Sequence, residues 1–290
     1  MRILVAGQCG QVATALSKLT ASDIAIVCAG RPELDIRDLT TIRQAISREK
    51  PDVLVNAAAY TAVDKAETDI DTAFAINADG AGNVAKAAFE AGLPVIHIST
   101  DYVFPGDNSS PYVETDPVAP TGVYGRSKLA GEAAVLAANA HSAILRTAWV
   151  YSPWGGNFLK TMLRLAETRD AVNVVADQYG NPTYAPDIAE GIVAAVQGLL
   201  ADADGTRGVF HMTALGEATW ADFAEAIFTA SREFGGPSAD VGRITTAEYS
   251  TPAQRPANSR LDSTLFRQTF GYTLPDWRER VPACIAALMV

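Results

Sequence analysis

The sequence predicts an α/β fold in which a doubly wound parallel sheet is followed by a smaller C-terminal lobe. Two observations support this fold class. In the first half of the 290 residues, short β-branched runs alternate with longer helical patterns, which is typical of right-handed βαβ units. The first of these runs leads directly into a glycine turn that opens the first helical pattern. The length allows one large domain with a second, smaller lobe.

The elements of the first half follow from the positions of these runs. The apolar runs predict strands at Arg2–Ala6, Ile24–Cys28, Val53–Asn56, Val95–Ser99 and Ala143–Thr147. The helical patterns lie between them, at Gln11–Leu19, Leu39–Lys50, Ile70–Ala91 and Tyr124–Ala140. The stretch from Thr100 to Val123 is rich in Pro, Gly, Asn and Ser, and it predicts a long loop at the carboxyl end of a strand. Ligands bind at that edge of open α/β sheets.

Beyond Val150 the pattern is less regular. Helices are expected near Phe158–Arg169, Ile188–Leu200, Trp220–Phe234 and Asp276–Leu288. No internal repeat, low-complexity segment or flexible linker separates this part of the sequence from the first half. We therefore expect a second lobe that packs against the first, rather than a tethered domain.

Composition and charge exclude several classes of protein. The formal net charge of −10 argues against a nucleic-acid surface, which needs clustered Lys and Arg. No apolar run reaches the roughly 20 residues of a membrane span. The apolar part of the start, Met1 to Gly7, is too short for a signal peptide, so we expect a cytoplasmic protein. Cys9, Cys28 and Cys284 show neither paired nor metal-type spacing, which predicts reduced, structural thiols.

The glycine turn Gly7-Gln8-Cys9-Gly10-Gln11-Val12-Ala13 lies between a predicted strand and a predicted helix. In that context Gly7 permits the tight turn, and Gly10 lets the backbone approach a pyrophosphate at the helix N-terminus. An ordinary strand-to-helix turn is the alternative. If the turn binds a dinucleotide, residues 1–150 are expected to form a Rossmann domain, with a return segment at 187–211. Residues 151–186 and 212–290 then form the substrate-binding lobe.

The segment after the second predicted strand bears on the choice of cofactor. Ala29-Gly30-Arg31-Pro32 lacks the acidic residue that typically accepts hydrogen bonds from an NAD ribose. Arg31 can instead face a 2′-phosphate, which favours NADPH, with NADH as an alternative; a solvated arginine in a turn is the competing interpretation. Asp35, next to Ile36, is expected to place its carboxylate on the adenine amino group.

Tyr124 and Lys128 are four residues apart on a predicted helix, so their side chains project from one face. A nearby ammonium is expected to lower the pKa of the phenol and to make Tyr124 a proton donor to a carbonyl. Lys128 is also expected to bind the nicotinamide ribose, and Thr100, at a strand end, to polarise the carbonyl. Many helices carry a Tyr and a Lys at this spacing by chance. The catalytic interpretation therefore depends on the compatible residues at the neighbouring strand ends.

Small residues follow the third predicted strand. In Asn56-Ala57-Ala58-Ala59-Tyr60-Thr61, the side chains of Ala57, Ala58 and Ala59 leave room for a cofactor, although ordinary tight packing would also use them. His97 lies inside a predicted strand and is expected in the core. His141 and His211 have no partners at ligand spacing, so we expect no metal site.

Together these segments resemble the extended short-chain dehydrogenases/reductases and, within them, the family of dTDP-4-dehydrorhamnose reductases. The resemblance spans nearly the whole chain. The matching segments are Gly7–Val12, Val55–Glu67, Ser99–Gly106, Val123–Glu132, Arg146–Tyr151 and Arg255–Leu261.

The resemblance implies reduction of the 4-keto group of dTDP-4-dehydro-L-rhamnose by NADPH or NADH, which gives dTDP-L-rhamnose. It implies a catalytic triad of Thr100, Tyr124 and Lys128. By the same resemblance, six residues are expected to contact the nucleotide sugar: Val63, Tyr102, Phe104, Trp149, Arg255 and Asn258. A core tryptophan is the alternative for Trp149.

One departure from the family concerns assembly. Some members are described as pairing through glutamates around a magnesium ion, including one in the first helix, where this chain carries Ala13, Thr14 and Ala15. We therefore expect no structural metal, and the protein is expected to be a monomer or a homodimer.

Two other functions remain open from the sequence. A sugar-nucleotide dehydratase would share the cofactor site, but dehydratases follow Ser-Thr-Asp with a glutamate where this chain has Tyr102. A non-catalytic regulatory subunit would keep the fold and the cofactor site. Retention of Thr100, Tyr124 and Lys128 together favours an enzyme.

Overall fold

The computed structural model describes residues 1–20 and 23–289. The strands of this part are β1 (Arg2–Ala6), β2 (Ala25–Ala29), β3 (Val53–Asn56), β4 (Val95–Thr100), β5 (Ser142–Thr147), β6 (Val150–Tyr151), β7 (Ala171–Val175), β8 (Tyr179–Gly180), β9 (Thr183–Tyr184), β10 (Gly208–His211), β11 (Ala218–Thr219) and β12 (Asp240–Ile244). The α-helices are α1 (Gln11–Lys18), α2 (Leu39–Glu49), α3 (Val63–Ala66), α4 (Ile70–Phe74), α5 (Ala81–Glu90), α6 (Val123–Ala138), α7 (Phe158–Ala166), α8 (Ala185–Leu200), α9 (Trp220–Glu233), α10 (Thr264–Phe270) and α11 (Trp277–Leu288). None of these helices is long and apolar enough to cross a membrane.

The central sheet has six parallel strands in the order β10-β5-β4-β3-β1-β2. The α/β fold class is confirmed, and the five expected strands are present with ends that differ by at most one residue. The sixth strand, β10, was not expected as a strand. It returns the chain to the sheet through α8, within the segment 187–211 that the sequence assigned to the first domain.

Both faces of this sheet are covered, because alternate residues of a strand point to opposite sides. On β1, Ile3 and Val5 pack in the apolar cluster that includes α1 and α8. Leu4, between them, packs in the cluster that includes α2 and α5. The parallel strands are therefore buried on both sides, and only their ends can contribute side chains to a ligand site.

The expected single helix from Ile70 to Ala91 is wrong in one respect. A π-helical turn, Ala75–Gly80, separates α4 from α5. The amide of Asn77 in this turn is fixed on both sides: its oxygen accepts from the Tyr60 N–H at 2.8 Å, and its nitrogen donates to the Ser127 hydroxyl at 2.9 Å. Such tertiary bonds can hold a wider turn against the regular i→i−4 pattern, and hydrophobic periodicity does not reveal them.

The second lobe has its own apolar core, to which α7, α9 and α11 contribute. Two-stranded sheets, β7 with β12 and β8 with β11, complete this lobe. Not all of residues 212–290 belong to it: Phe266 of α10 packs into the core of the large sheet beside α8. The chain therefore crosses between the two cores more often than a simple division at residue 212 implies.

Candidate active site

The carboxyl ends of the central strands lie at one edge of the sheet. In the register, Ala6 faces Asn56, Asn56 faces His97, and Thr100 faces Thr147. The segments that follow these strands border a cavity of about 980 Å³, together with residues of the second lobe. This volume is at the upper end of ordinary ligand sites, as a dinucleotide with a nucleotide sugar would need.

The glycine turn forms one wall of the cavity, and the expected contacts Gly7, Gly10, Gln11 and Val12 all line it. Gly7 has a φ of +133°, and a Cβ there would lie 3.3 Å from the carbonyl carbon of Ala57, so a side chain would strain the turn. No side chain caps the N-terminus of α1, which leaves its first N–H groups available to an anion. This geometry fits the pyrophosphate of a dinucleotide.

The side chain of Gln11 also has a structural role that the sequence did not suggest. Its amide nitrogen donates to the Val150 carbonyl at 3.2 Å, and its amide oxygen accepts from Ser152 at 2.8 Å and from Asn157 at 2.9 Å. The first turn of α1 is thereby tied to the segment that leads into the second lobe.

Arg31, Asp35 and Ile36 line the cavity as expected, but the carboxylate of Asp35 is already occupied. Both of its oxygens accept from Arg37, the shorter contact being 2.6 Å. This hydrogen bonding lowers the pKa of Asp35, with a smaller contribution from Arg31. Two arginines therefore flank one aspartate at this end of the cavity, and Arg37 is a further candidate for a 2′-phosphate.

The segment after β3 lies beside the glycine turn and forms the next part of the wall. Ala57, Ala58 and Ala59 border the cavity with no side chain beyond a Cβ, followed by Thr61 and Val63. The backbone is held in place from inside the fold, since the side chain of Asn56 accepts from the Ala58 N–H at 3.2 Å.

Thr100, Tyr124 and Lys128 all line the cavity. The side-chain nitrogen of Lys128 donates to the Ile98 carbonyl at 2.7 Å, which holds the side chain against β4. Tyr124 packs edge-on against Tyr102, with 5.5 Å between ring centroids. The three expected catalytic side chains therefore come from one strand end and one helix, α6, that lie side by side.

The pKa of Tyr124 differs from expectation. Burial raises it to about 12, against an opposing hydrogen bond from Thr100. Burial also lowers the pKa of Lys128 to about 8. The expectation that Lys128 lowers the pKa of the phenol is not met, because desolvation disfavours both charged forms. Tyr124 is accordingly fully protonated at neutral pH.

Asp101 is a buried acid that the sequence analysis did not single out. Its Oδ1 accepts from the Thr100 hydroxyl at 2.9 Å, while Oδ2 has no partner among the described residues. Burial raises the pKa of this carboxyl to about 6. Its place directly after the strand-end threonine was the available signal.

Aromatic side chains form the second-lobe side of the cavity. Trp149 stacks on Trp220 with 3.5 Å between centroids and 5° between planes. On its other face the indole lies against the backbone of Gly180, where a Cβ would approach to 2.3 Å. The backbone of Trp149 has a φ of +46°, and its indole Nε1 donates to the Ser259 hydroxyl at 3.1 Å. Trp220 and the neighbouring Phe158 line the cavity, and neither was expected from the sequence.

Arg255 reaches the cavity from a distant part of the sequence. It binds Asp64, beside Val63, through two contacts of 3.2 and 2.9 Å. This ion pair joins the loop before residue 258 to α3 of the first lobe. Val63, Tyr102, Trp149 and Arg255 all border the cavity, as the resemblance implied.

Phe104 and Asn258 lie outside the cavity lining. Phe104 is 1% exposed and stacks on Tyr112 at 4.3 Å, so it is part of a small apolar core. The amide of Asn258 donates to the carbonyls of Asn108 and Ser110 at 2.7 and 2.8 Å and fixes the long loop after β4. The structure therefore places neither side chain on the cavity, and their contact with the nucleotide sugar stays a prediction from the resemblance.

The fold and the cavity define a nicotinamide-dependent oxidoreductase of the extended short-chain dehydrogenase/reductase class. The family model described as "RmlD substrate binding domain" matches residues 1–290. The chain is 48% identical to a dTDP-4-dehydrorhamnose reductase of Sinorhizobium fredii, over all of this chain and 98% of that protein. It therefore belongs to the dTDP-4-dehydrorhamnose reductase family.

Solved structures agree with this assignment. A dTDP-4-dehydrorhamnose reductase from Clostridium acetobutylicum is 37% identical and superposes with a TM-score of 0.92, with full coverage of both chains. A second one, from Bacillus anthracis, was solved in complex with NADP; it is 34% identical, with a TM-score of 0.91 and 99% coverage of both chains.

Proposed function

We propose that this chain reduces the 4-keto group of dTDP-4-dehydro-L-rhamnose with NADPH and releases dTDP-L-rhamnose. The observation that carries the proposal is the meeting of Thr100, Tyr124 and Lys128 in one cavity with an uncapped helix N-terminus. The names of the relatives and the NADP complex of one of them support the substrate and the cofactor. We place the enzyme in the cytoplasm, as a monomer or a homodimer.

NADPH, when bound, supplies the hydride. As the carbonyl carbon gains this hydride, negative charge develops on the carbonyl oxygen and must be met by a proton. Tyr124 is the proton donor in the proposal, and its raised pKa keeps it protonated at neutral pH. The transfer remains favourable because an alkoxide is a far stronger base than a phenolate. The Thr100 hydroxyl, whose proton goes to Asp101 Oδ1 in this structure, would turn to donate to the same carbonyl oxygen.

Separate residues are proposed to hold the two ends of the cofactor. The turn from Gly7 to Val12 would take the pyrophosphate, and Ala57 to Ala59 would pack against the dinucleotide. Arg31 and Arg37 would bind the 2′-phosphate, since guanidinium groups bind phosphate in a planar, two-pronged geometry. Lys128 would donate to the nicotinamide ribose.

On the other side of the cavity, the sugar nucleotide is proposed to contact Val63, Tyr102, Trp149 and Arg255. Arg255 carries the positive charge that a diphosphate requires, and Trp149 offers an apolar edge to the deoxy side of the sugar. Trp220, which stacks on Trp149, is added to this set from the structure.

The test is an assay of the purified full chain with NADPH and dTDP-4-dehydro-L-rhamnose. Oxidation of NADPH is followed by its absorbance, and the product is identified by NMR. We expect dTDP-L-rhamnose in an amount equal to the NADPH consumed, and no oxidation without the sugar nucleotide. Loss of water from a 4-hydroxy sugar nucleotide would indicate a dehydratase. Binding of NADPH without turnover of either sugar would indicate a regulatory subunit.

A further inference from the structure

A buried histidine lies under the active-site lysine. His97, on β4, is 1% exposed, and its Nε2 is 3.4 Å from the amine nitrogen of Lys128. The other ring nitrogen of His97, Nδ1, is 3.1 Å from the side-chain nitrogen Nδ2 of Asn56, the residue opposite His97 on β3. The expectation from the sequence was a core residue, and the proposed function does not use this side chain.

The orientation of Asn56 determines which ring nitrogen of His97 carries the proton. The Asn56 oxygen accepts from the Ala58 N–H at 3.2 Å, so its NH₂ group faces His97. An amide NH₂ only donates, so Nδ1 of His97 must accept. Burial holds the pKa of His97 well below its usual range, and the ring is neutral. The single proton of the ring is therefore on Nε2, which faces Lys128.

This N–H matters for the charge of Lys128. An ammonium group has donors and no acceptor, so a charged Lys128 would face another donor, whereas a neutral amine has a lone pair that can accept from Nε2–H. The contact with the Ile98 carbonyl at 2.7 Å is compatible with either form. The two hydrogen bonds of Lys128 to β4 can be satisfied together only when the amine is uncharged.

We propose that His97 is a positioning residue for Lys128: held by Asn56, it presents an N–H to the amine and favours its uncharged form in the ligand-free protein. Ala58 lies in the proposed cofactor wall, so this chain of contacts connects that wall to the lysine. The consequence for cofactor affinity rests on the proposed function, but the effect of His97 on Lys128 does not.

The surroundings of Lys128 agree with this proposal. Its pKa is lowered to about 8 by burial, and Glu132, one turn further along α6, opposes the shift. Glu132 is already bound by Arg146 of β5 at 2.7 Å and by Ser99 of β4. The other ionisable groups that face this region are Asp101, on the turn after β4, and Tyr124. Among the described residues no carboxylate forms a salt bridge with Lys128.

The test measures the charge of Lys128 directly in the ligand-free protein. Lysine labelled with ¹⁵N gives an Nζ resonance that titrates, and Lys128→Arg assigns it. His97→Gln can place an amide oxygen where Nε2 lies, which replaces the donor by an acceptor without a change of net charge. In this variant we expect the midpoint of the Lys128 Nζ titration to rise by about one pH unit. His97→Leu, which offers neither a donor nor an acceptor, is the matched control, and its midpoint should rise less.

A second pair of variants tests the role of Asn56. In Asn56→Asp a carboxylate accepts from Ala58 and from His97 Nδ1–H, so the ring proton moves and Nε2 becomes an acceptor for the ammonium. The midpoint of the Lys128 Nζ titration should therefore rise by more than about one pH unit. In Asn56→Asp with His97→Leu only the added charge remains, and most of the rise should disappear.

Two results would overturn the proposal. One is an equal midpoint in the wild type and in folded His97→Gln; the other is an equal rise in the single and double Asn56 variants. Titration of NADPH affinity with pH separates this inference from the proposed function. A shifted Nζ midpoint with an unshifted affinity profile would support the effect of His97 and would contradict the role of Lys128 in cofactor binding.

Discussion

The two sides of the cavity are built in different ways. On the first-lobe side, Gly7 and Ala57 follow two strands and Thr100 ends a third, and the three strands are neighbours in one parallel sheet. On the second-lobe side, Trp149, Trp220 and Arg255 come from segments far apart in the sequence. The first side is positioned by backbone hydrogen bonds that any sheet of this type shares, the second by contacts between particular side chains. We therefore expect the chemical step to depend on the first side and discrimination between sugars on the second.

The largest effect should come from Tyr124. Loss of a general acid typically lowers a rate by about 10²–10⁴-fold, so Tyr124→Phe should lower kcat by a factor in that range. NADPH binding, measured by fluorescence, should survive because the proton is needed in the transition state. Tyr102→Phe is the matched control: its ring lies 5.5 Å away, and it should change KM for the sugar nucleotide more than kcat. Near-full turnover of Tyr124→Phe would show that the proton does not come from Tyr124, and it would contradict the dependence of the chemical step on the first-lobe side.

The pH dependence should separate the two groups on α6. Tyr124 is protonated below its raised pKa of about 12, so kcat should stay level from neutral to mildly alkaline pH. Lys128 loses its proton above its lowered pKa of about 8. The affinity for NADPH should therefore fall above that pH, by up to about tenfold per unit if only the ammonium form binds. A kcat that falls with the same midpoint would show that the lysine acts in the chemical step itself.

A smaller effect is expected at Arg31. Arg31→Ala should lower the ratio of kcat/KM for NADPH to that for NADH by about tenfold, because a guanidinium–phosphate contact is lost from an exposed site. Arg31→Lys should retain part of the preference, since it keeps the charge without the planar group. An unchanged ratio in Arg31→Ala would move the assignment to Arg37.

The second-lobe side is tested at Trp149. Trp149→Phe should raise KM for the sugar nucleotide by roughly threefold while kcat and KM for NADPH change little, because the smaller ring shortens the apolar edge that is proposed to contact the sugar. Trp220→Leu should act in the same direction, because it removes the ring that supports Trp149. The melting temperature of Trp149→Phe should fall by only a few degrees, roughly, because the variant loses the Nε1 bond to Ser259 and part of the stack on Trp220. A large fall in melting temperature with an unaltered KM would restore the interpretation of Trp149 as a core residue.

The sequence by itself was sufficient for the regular part of the molecule. Strand ends, the glycine turn and the spacing of Tyr124 and Lys128 are local features, and a parallel sheet converts them into one site because its carboxyl ends share an edge. The fold class followed from them, and the family followed from the resemblance of longer segments. The sixth strand was missed because its run, Gly208–His211, is short and carries no periodic signal.

Only the tertiary structure decided which side chains face the cavity and what charge they carry. Phe104 turned into an apolar core and Asn258 towards the long loop, while Trp220 joined Trp149 across 71 residues of sequence. Burial raises the pKa of Tyr124, against the expectation that Lys128 lowers it, and burial also lowers the pKa of Lys128. Desolvation and the direction of a hydrogen bond depend on atoms that the fold brings together, and the order of residues in the chain does not contain them.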